Sequence, residues 1–383
     1  MTHKSCFGLH WRRLCTAALV MLAAPLASAA SCNNWPEWTA FRNRYVSEGG
    51  RVIDPATSDN RTTSEGQSYG LFFALVANDR EAFARMLRWT EDNLAAGDLT
   101  ARLPAWHWGK RADGSWGVID DNAASDSDLW IAYALAEAGR LWKIQKYTAL
   151  AQLLAERVMR EETVEIPGLG RTLLPGPRGF QPQPGVFRLN PSYVPIHLMR
   201  RLAAINPQPN WKQLVTSSVD TIVRSAPRGY APDWVMYKAD GGFMADADTK
   251  GVGSYDAIRV YLWAGMLAED DPVRPVLLKV LAPAAQYVQK NGAPPLEANT
   301  REGTANGTGS AGFSAAMLPF LAASRQPEAL KQQRLRVDAK APLERQDNYY
   351  EQVLTLFGLG WMDGRYRFAR DGALIARWTC TAN

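Results

Sequence analysis

The constraint that most limits this chain is its helical period. Apolar residues recur at i, i+3 and i+4 spacing over Trp35–Tyr45, Glu65–Val76, Arg80–Leu94, Asp126–Trp142, Lys146–Met159, Pro191–Ala204, Trp211–Arg224, Asp256–Ala268, Pro272–Val288, Ser310–Leu321 and Tyr349–Trp361. The joints at Asn78-Asp79 and Gly139 to Lys146 are short, which suits antiparallel neighbours. About a dozen helices paired by short turns predict an all-α ring of helix pairs, because each apolar stripe must find cover. A long solenoid is the alternative, but no fixed repeat supports one. Four stretches break the rhythm, Ala101–Asn122, Thr163–Leu189, Ala226–Gly253 and Gln289–Gly309. They read as long loops, and loops of that length in a compact domain are commonly functional. The end, Tyr366–Trp378 around Asp371-Gly372, reads as a small β-hairpin that returns Cys380 toward the N-terminus.

The first 30 residues stand apart. Lys4, Arg12 and Arg13 precede an apolar run, Leu14 to Leu26, and then the small residues Ala27-Ser28-Ala29-Ala30. The run is shorter than the roughly 20 residues a membrane span needs. The pattern is that of a cleaved signal peptide over 1–30, leaving one domain over 31–383 with no membrane span and a periplasmic or secreted destination. Without those three basic residues the balance is 40 basic to 38 acidic, so no electrostatic footprint for nucleic acid remains. Only Cys32 and Cys380 stay in the mature chain. In an oxidising compartment they are expected to pair and tie the two ends together, a closure of ~4–5 kcal/mol in the chain-entropy account. His107 and His197 are the only mature histidines, so neither a metal nor a cofactor is expected. Gly307-Thr-Gly309-Ser-Ala-Gly312 lacks a preceding strand and reads as a loop entering a helix. Glu161, Glu162 and Glu302 read as solvated.

Three helix starts carry acids. In Thr63-Ser64-Glu65-Gly66-Gln67, Ser64 suits the N-cap and Gln67 completes a capping box. Ser125 precedes Asp126, and Ser254 precedes Asp256, in the same way. Acids are ordinary at helix starts because the free N–H groups favour negative charge. Yet Glu65 is flanked by Gly66 and Gly70, an odd choice inside a helix unless something approaches the backbone closely. Asp256 has Arg259 on its own face, either a plain ion pair or a device that keeps the carboxylate charged. In a helix ring, alternate helix starts point to one end, so the three acids can line one cleft. Two carboxyls across a sugar ring, one protonated and one ionised, are what glycoside hydrolysis needs. Fourteen Trp residues, several in the loops (Trp106, Trp108, Trp116, Trp234), supply flat faces that stack on sugars, although any one of them can equally serve the core.

Beyond composition and spacing, the run Ala124-Ser125-Asp126-Ser127-Asp128 with Ile131-Ala132, Ala138 and Trp142 resembles the signature of glycoside hydrolase family 8, and within it the periplasmic cellulases that accompany bacterial cellulose synthases. Ser127 and Ala136 depart from the usual pattern. Thr63–Tyr69, Asn190-Pro-Ser-Tyr193, Ser254–Arg259 and Gly312–Met317 resemble the family as well, so the likeness runs from about Trp35 to the C-terminus. The resemblance implies an (α/α)6 barrel and an inverting endo-1,4-β-glucanase acting on cellulose-type glucan, with a functional link to a cellulose synthase complex. It implies Glu65 as general acid, Asp256 as general base and Asp126 as the group that holds the sugar and positions water. Tyr193, Tyr255 and Arg259 would line the cleft near the base, Trp106 or Trp108 would stack on glucose, and Tyr349 and Tyr350 would serve the leaving side. Two rival readings are a polysaccharide lyase on a helical ring, which would want free cations and a Tyr or His base, and a non-catalytic glucan-binding export factor.

Overall fold

The computed structural model describes residues 1–3, 34–340 and 348–378. Most of the expected leader and both cysteines of the expected bridge lie outside the described residues. The described helices are α1 (Pro36–Tyr45), α2 (Ser64–Val76), α3 (Arg80–Leu94), α4 (Ser125–Trp142), α5 (Gln145–Glu161), α6 (Ile196–Ile205), α7 (Pro209–Ser225), α8 (Ile258–Gly265), α9 (Arg274–Val280), α10 (Ala282–Asn291), α11 (Ala311–Ala323), α12 (Pro327–Lys340) and α13 (Tyr349–Met362).

Their side chains sort them into two layers. α2, α4, α8, α11 and α13 are apolar on nearly every face and are buried along their length. With α6 they form the inner ring of an (α/α)6 barrel, because a helix without a polar face has no other stable place. α3, α5 and α7 carry one apolar stripe and pack outside. The contacts follow this order, α2 against α3 and α4, α4 against α5 and α6, α6 against α7 and α8, α8 against α11, and α11 against α12 and α13. α1 covers α13 from outside, and Phe73 against Phe357 at 4.6 Å closes the ring between α2 and α13. Small residues let the inner helices meet, since a Cβ at Gly358 would run into the Ala315 carbonyl. The axis of the barrel is an aromatic cluster in which Trp130, Trp263 and Phe357 lie 5.1–5.4 Å apart, tilted or edge-on to one another. Such rings each bury roughly 150–250 Å², the largest apolar contribution per residue available to a core.

The C-terminal hairpin forms as expected, Tyr366–Phe368 against Leu374–Ala376. It seals the end of the barrel away from the helix starts. Tyr133 Oη donates to Gly372 O at 2.8 Å, and the buried Glu137 carboxylate accepts Leu374 N–H at 2.7 Å while pairing with Arg140 and Arg201.

Several boundaries differ from the periodicity. The expected Pro191–Ala204 helix is a 3-10 turn, Pro191–Tyr193, followed by α6, because Pro195 disfavours helical backbone at Val194. Pro272–Val288 divides into α9 and α10 beside Pro283. α8 starts at Ile258, two residues after Asp256. α12 had no apolar period to reveal it, since buried Gln333 occupies its inward face between Ala329 and Val337. The long loops are not structureless either. They carry short antiparallel ladders, including Thr62–Thr63 with His107–Lys110 and Trp116–Asp120, and Val186–Leu189 with Val235–Lys238 and Gly242–Ala245. Strands of two to five residues are too short for an alternation to stand out. Among the described residues no helix is long and apolar enough to cross a membrane.

Candidate active site

The N-terminal ends of α2 and α4 and the turn before α8 open onto one cavity of about 380 Å³. Its walls include Glu65, Asp126, Asp256, Arg259, Trp106, Tyr193, Tyr255 and Tyr350. Each carboxylate arrives there by a different local route. Thr63, not Ser64, caps α2, accepting Gly66 N–H at 3.0 Å. Gln67 does not reach back to complete a capping box. Its amide is buried and tied instead to Val52 N–H at 2.6 Å, to the Gly50 and Met86 carbonyls at 3.2 Å and to Thr90 Oγ1 at 2.9 Å. These bonds pin the first turn of α2, and Glu65 with it. α4 has no side-chain cap, and Asp126 Oδ1 accepts Ser127 N–H at 2.7 Å. Asp256 sits in the turn ahead of α8, where Asp233 Oδ1 accepts the N–H groups of Ser254, Asp256 and Ala257 at 2.7, 3.0 and 2.8 Å.

Arg259 is the hub. Its side chain is only 4% exposed, and it faces three acids at once. Nη1 donates to Glu65 Oε2 and stands 4.0 Å from Asp126 Oδ2, and Nη2 donates to Asp256 Oδ1 at 2.8 Å and to Ser192 Oγ at 3.1 Å. Two charge-assisted bonds, one on each Nη of the same guanidinium, hold Glu65 and Asp256 to the two arms of one side chain. Both are therefore within reach of a single glycosidic bond. Asn190 completes the base side: its Oδ1 is held by Ser192 N–H at 2.9 Å, which turns its Nδ2 to donate to Asp256 Oδ2 at 3.2 Å.

The three acids titrate differently because their surroundings differ. Burial pushes the Asp256 carboxyl up to about 6; the Arg259 charge opposes this, and Asp233 and Glu65 add to it. Burial pushes Asp126 well above the usual carboxylate range, and the neighbouring Glu65 charge adds to that against Arg259. Asp126 and Glu65 stand side by side against the same guanidinium arm, and Asp126 is therefore the carboxyl of the three that most strongly retains its proton. Burial disfavours the charge on Arg259, yet Glu65 and its other anionic neighbours hold the guanidinium firmly protonated.

Not every expected residue reaches the cavity. Trp108 lies outside its lining, stacked on Trp116 at 5.4 Å, with Trp89 at its edge and the Arg51 guanidinium 4.3 Å over its ring. The reason is strand geometry, since a register irregularity between His107 and Trp108 turns it from the Trp106 side. Tyr349 is also absent from the lining: it packs against Phe41 and Tyr45, with its hydroxyl under Gly66. Tyr350, one residue on, faces the cavity and donates to the Tyr255 carbonyl at 2.6 Å; neighbours in a helix cannot share a face. The close approach that Gly66 and Gly70 signalled is thus made by protein side chains, Tyr349 at Gly66 and Met86 with Val52 at Gly70. Glu162, read as solvated, is fully buried against Asp128. Periodicity gave no hint of Asn190 or Asp233, because each acts from a loop on the distant segment that carries Asp256.

Comparison with known proteins agrees with this architecture. The chain matches Glycosyl hydrolases family 8 over residues 9–364. It is 45% identical over 360 residues to an endoglucanase of Salmonella typhi, covering 94% of this chain and 95% of that protein. It is 45% identical over 376 residues to an endoglucanase of Xanthomonas axonopodis pv. citri, covering 98% and 97%. The crystal structure of an endo-1,4-D-glucanase from Vibrio fischeri superposes with a TM-score of 0.87 at 45% identity, covering 90% of this chain and 99% of that one. A helix ring whose acids gather at one end, matched along nearly its whole length, places this chain in glycosyl hydrolase family 8 as a glycoside hydrolase.

Proposed function

We propose that the protein is an inverting endo-1,4-β-glucanase in which Glu65 is the general acid, Asp256 the general base, and Asp126 the group that holds the adjoining sugar and helps position the water. The observation that carries this reading is the shared guanidinium of Arg259, with Glu65 on one arm and Asp256 on the other. An inverting hydrolysis needs one carboxyl that can donate and one that can accept, facing each other across the scissile bond with room for a water. Asp256, with its side chain 32% exposed and its carboxyl at about 6, is ionised near neutral pH and open to the cleft. Beside Glu65, buried Asp126 keeps its proton near neutral pH, so the acid side of the cleft holds a proton for transfer. Glu65 gives that proton to the leaving oxygen as the C–O bond breaks. Asp256 removes a proton from the water that attacks the opposite face of the ring, which leaves the new hydroxyl in the α configuration.

Trp106 offers an aromatic face in the cleft, and Tyr193, Tyr255 and Tyr350 surround the base. The endoglucanase names of the Salmonella and Xanthomonas relatives support a glucan substrate, and that of the Vibrio endo-1,4-D-glucanase supports the 1,4 linkage. A lyase reading wants a free cation for a uronate. Arg259 is the one cation in the lining among the described residues, and it is engaged by the carboxylates. The domain would be residues 31–383, exported by the leader over 1–30 to the periplasm or beyond, where it works on cellulose emerging from a synthase.

The test is direct. Glu65→Gln and Asp256→Asn each lower kcat on a soluble β-1,4-glucan by ~10²–10⁴-fold, and proton NMR of the wild-type reaction shows α-configured ends first. Full activity in either variant, or β-configured product, removes the assignment.

A further inference from the structure

The base in this site is held by a residue that the reading above does not use. Asp256 stands in the turn Ser254–Ala257, ahead of α8, and that helix has no capping side chain of its own. The N–H groups of that turn are satisfied from a different part of the chain. Asp233, in the loop before the Val235–Lys238 strand, presents one carboxylate oxygen to the N–H groups of Ser254, Asp256 and Ala257. Its own N–H donates to Val252 O at 3.0 Å, so the loop is fastened to the strand that leads into the turn. One oxygen thereby fixes three consecutive-turn amides on both sides of the base. The geometry points to Asp233 as a positioning residue for hydrolysis: its carboxylate sets the turn that aims Asp256 at the attacking water.

This inference rests on the reading of Asp256 as the base. Its physical content is twofold. A turn capped by an anion loses several hydrogen bonds at once if the anion goes, and Asp256 then wanders from the narrow geometry that proton transfer needs. The charge itself also reaches Asp256. The groups that face Asp256 are Arg259 on its own segment, Asp233 from the loop, Glu65 from α2, Arg188 from the Val186–Leu189 strand, Asn190, Tyr193 and Tyr350. Arg259 favours the ionised base; Asp233 and Glu65 oppose it. Removing the Asp233 charge therefore lets Asp256 ionise at lower pH.

Two variants separate geometry from charge. Asp233→Asn keeps an oxygen acceptor and loses the charge; Asp233→Ala loses both. Both are assayed as full-length enzyme for kcat and KM on a soluble β-1,4-glucan between pH 4 and 9, with the folded fraction followed by circular dichroism. Asp233→Asn is expected to move the acidic limb of the kcat profile down by roughly half a pH unit, with kcat on the plateau within about threefold of wild type. Asp233→Ala is expected to lower plateau kcat about tenfold or more with KM within about twofold, because a misplaced base weakens the transition state and not substrate binding. An acidic limb that stays put in Asp233→Asn, together with unchanged kcat per folded molecule in Asp233→Ala, overturns the proposal. Asp256→Asn measured beside them keeps the two claims apart. If it too is fully active, the base assignment has failed; if it is inactive while both Asp233 variants match wild type, only the positioning role has failed.

Discussion

Replacing Arg259 by Met tests the hub on which the site is built. The substitution keeps an unbranched apolar stem of similar length and removes the guanidinium that serves three acids. Asp256 would keep the 3.2 Å bond from Asn190 and lose the 2.8 Å bond from Nη2. A hydrogen bond between charged partners contributes ~1.5–3 kcal/mol. Because the Asp256 side chain is 32% exposed, cleft water screens the pair and the lower part of that range applies. At about 1.4 kcal/mol per pKa unit, losing the pair raises Asp256 by about one unit, from about 6 toward 7. The sign is set by which form Arg259 favours: it stabilises the ionised base, so its removal raises the pKa and moves the acidic limb of kcat/KM to higher pH. At a pH one unit below the wild-type limb the variant is therefore about tenfold less active from this effect alone. Removing one partner from a buried ion cluster also costs ~3–5 kcal/mol of stability while the carboxylates stay charged, a deficit that shrinks as acid protonates them. The assay is reducing-end release from a soluble β-1,4-glucan between pH 4 and 9, with urea unfolding at the same pH values. Arg259→Lys, which keeps one charge, is expected to recover part of the limb position. A folded Arg259→Met enzyme whose acidic limb coincides with wild type would show that the guanidinium does not set the base.

Two further outcomes follow from the surroundings of the site. Asp128 and Glu162 are both fully buried beside each other, and burial first, then neighbouring negative charge, holds both well above the carboxylate range. The folded protein thus keeps protons that the unfolded chain releases above about pH 4, so stability falls as pH rises from there through neutrality. Glu162→Gln is expected to flatten that decline between pH 5 and 8 in urea midpoints, and an unaltered slope would mean the pair does not carry the proton. Trp106 lines the cleft while Trp108 does not, so Trp106→Ala is expected to raise KM roughly five- to thirtyfold with little change in kcat. Trp108→Ala is expected to lower thermal stability and leave KM near wild type; equal KM effects in the two variants would contradict the placement of the rings.

Much of this molecule was legible in one dimension. The number and order of the inner helices, and the hairpin at Tyr366–Ala376, follow from apolar residues spaced at a helix turn or alternating about Asp371-Gly372, because solvent sorts such patterns whatever they pack against. The acids Glu65, Asp126 and Asp256 were visible as helix-start residues, and the family likeness gave them roles. What the chain did not show is what only packing decides. Pro195 just before α6 and Pro283 just after α9 moved those boundaries, and a buried Gln hid α12 from any apolar period. Whether Trp106 or Trp108, Tyr349 or Tyr350, turned to the cleft depended on a register irregularity and on opposite faces of one helix. The sequence by itself determined a ring of paired helices with acids at one end. Only the tertiary structure decided that Glu162 is buried, that Arg259 joins Glu65 to Asp256, and that Asp233 holds the base. Those are contacts between segments far apart along the chain, and electrostatic environment is a property of neighbours in space, for which no local pattern of residues carries a signal.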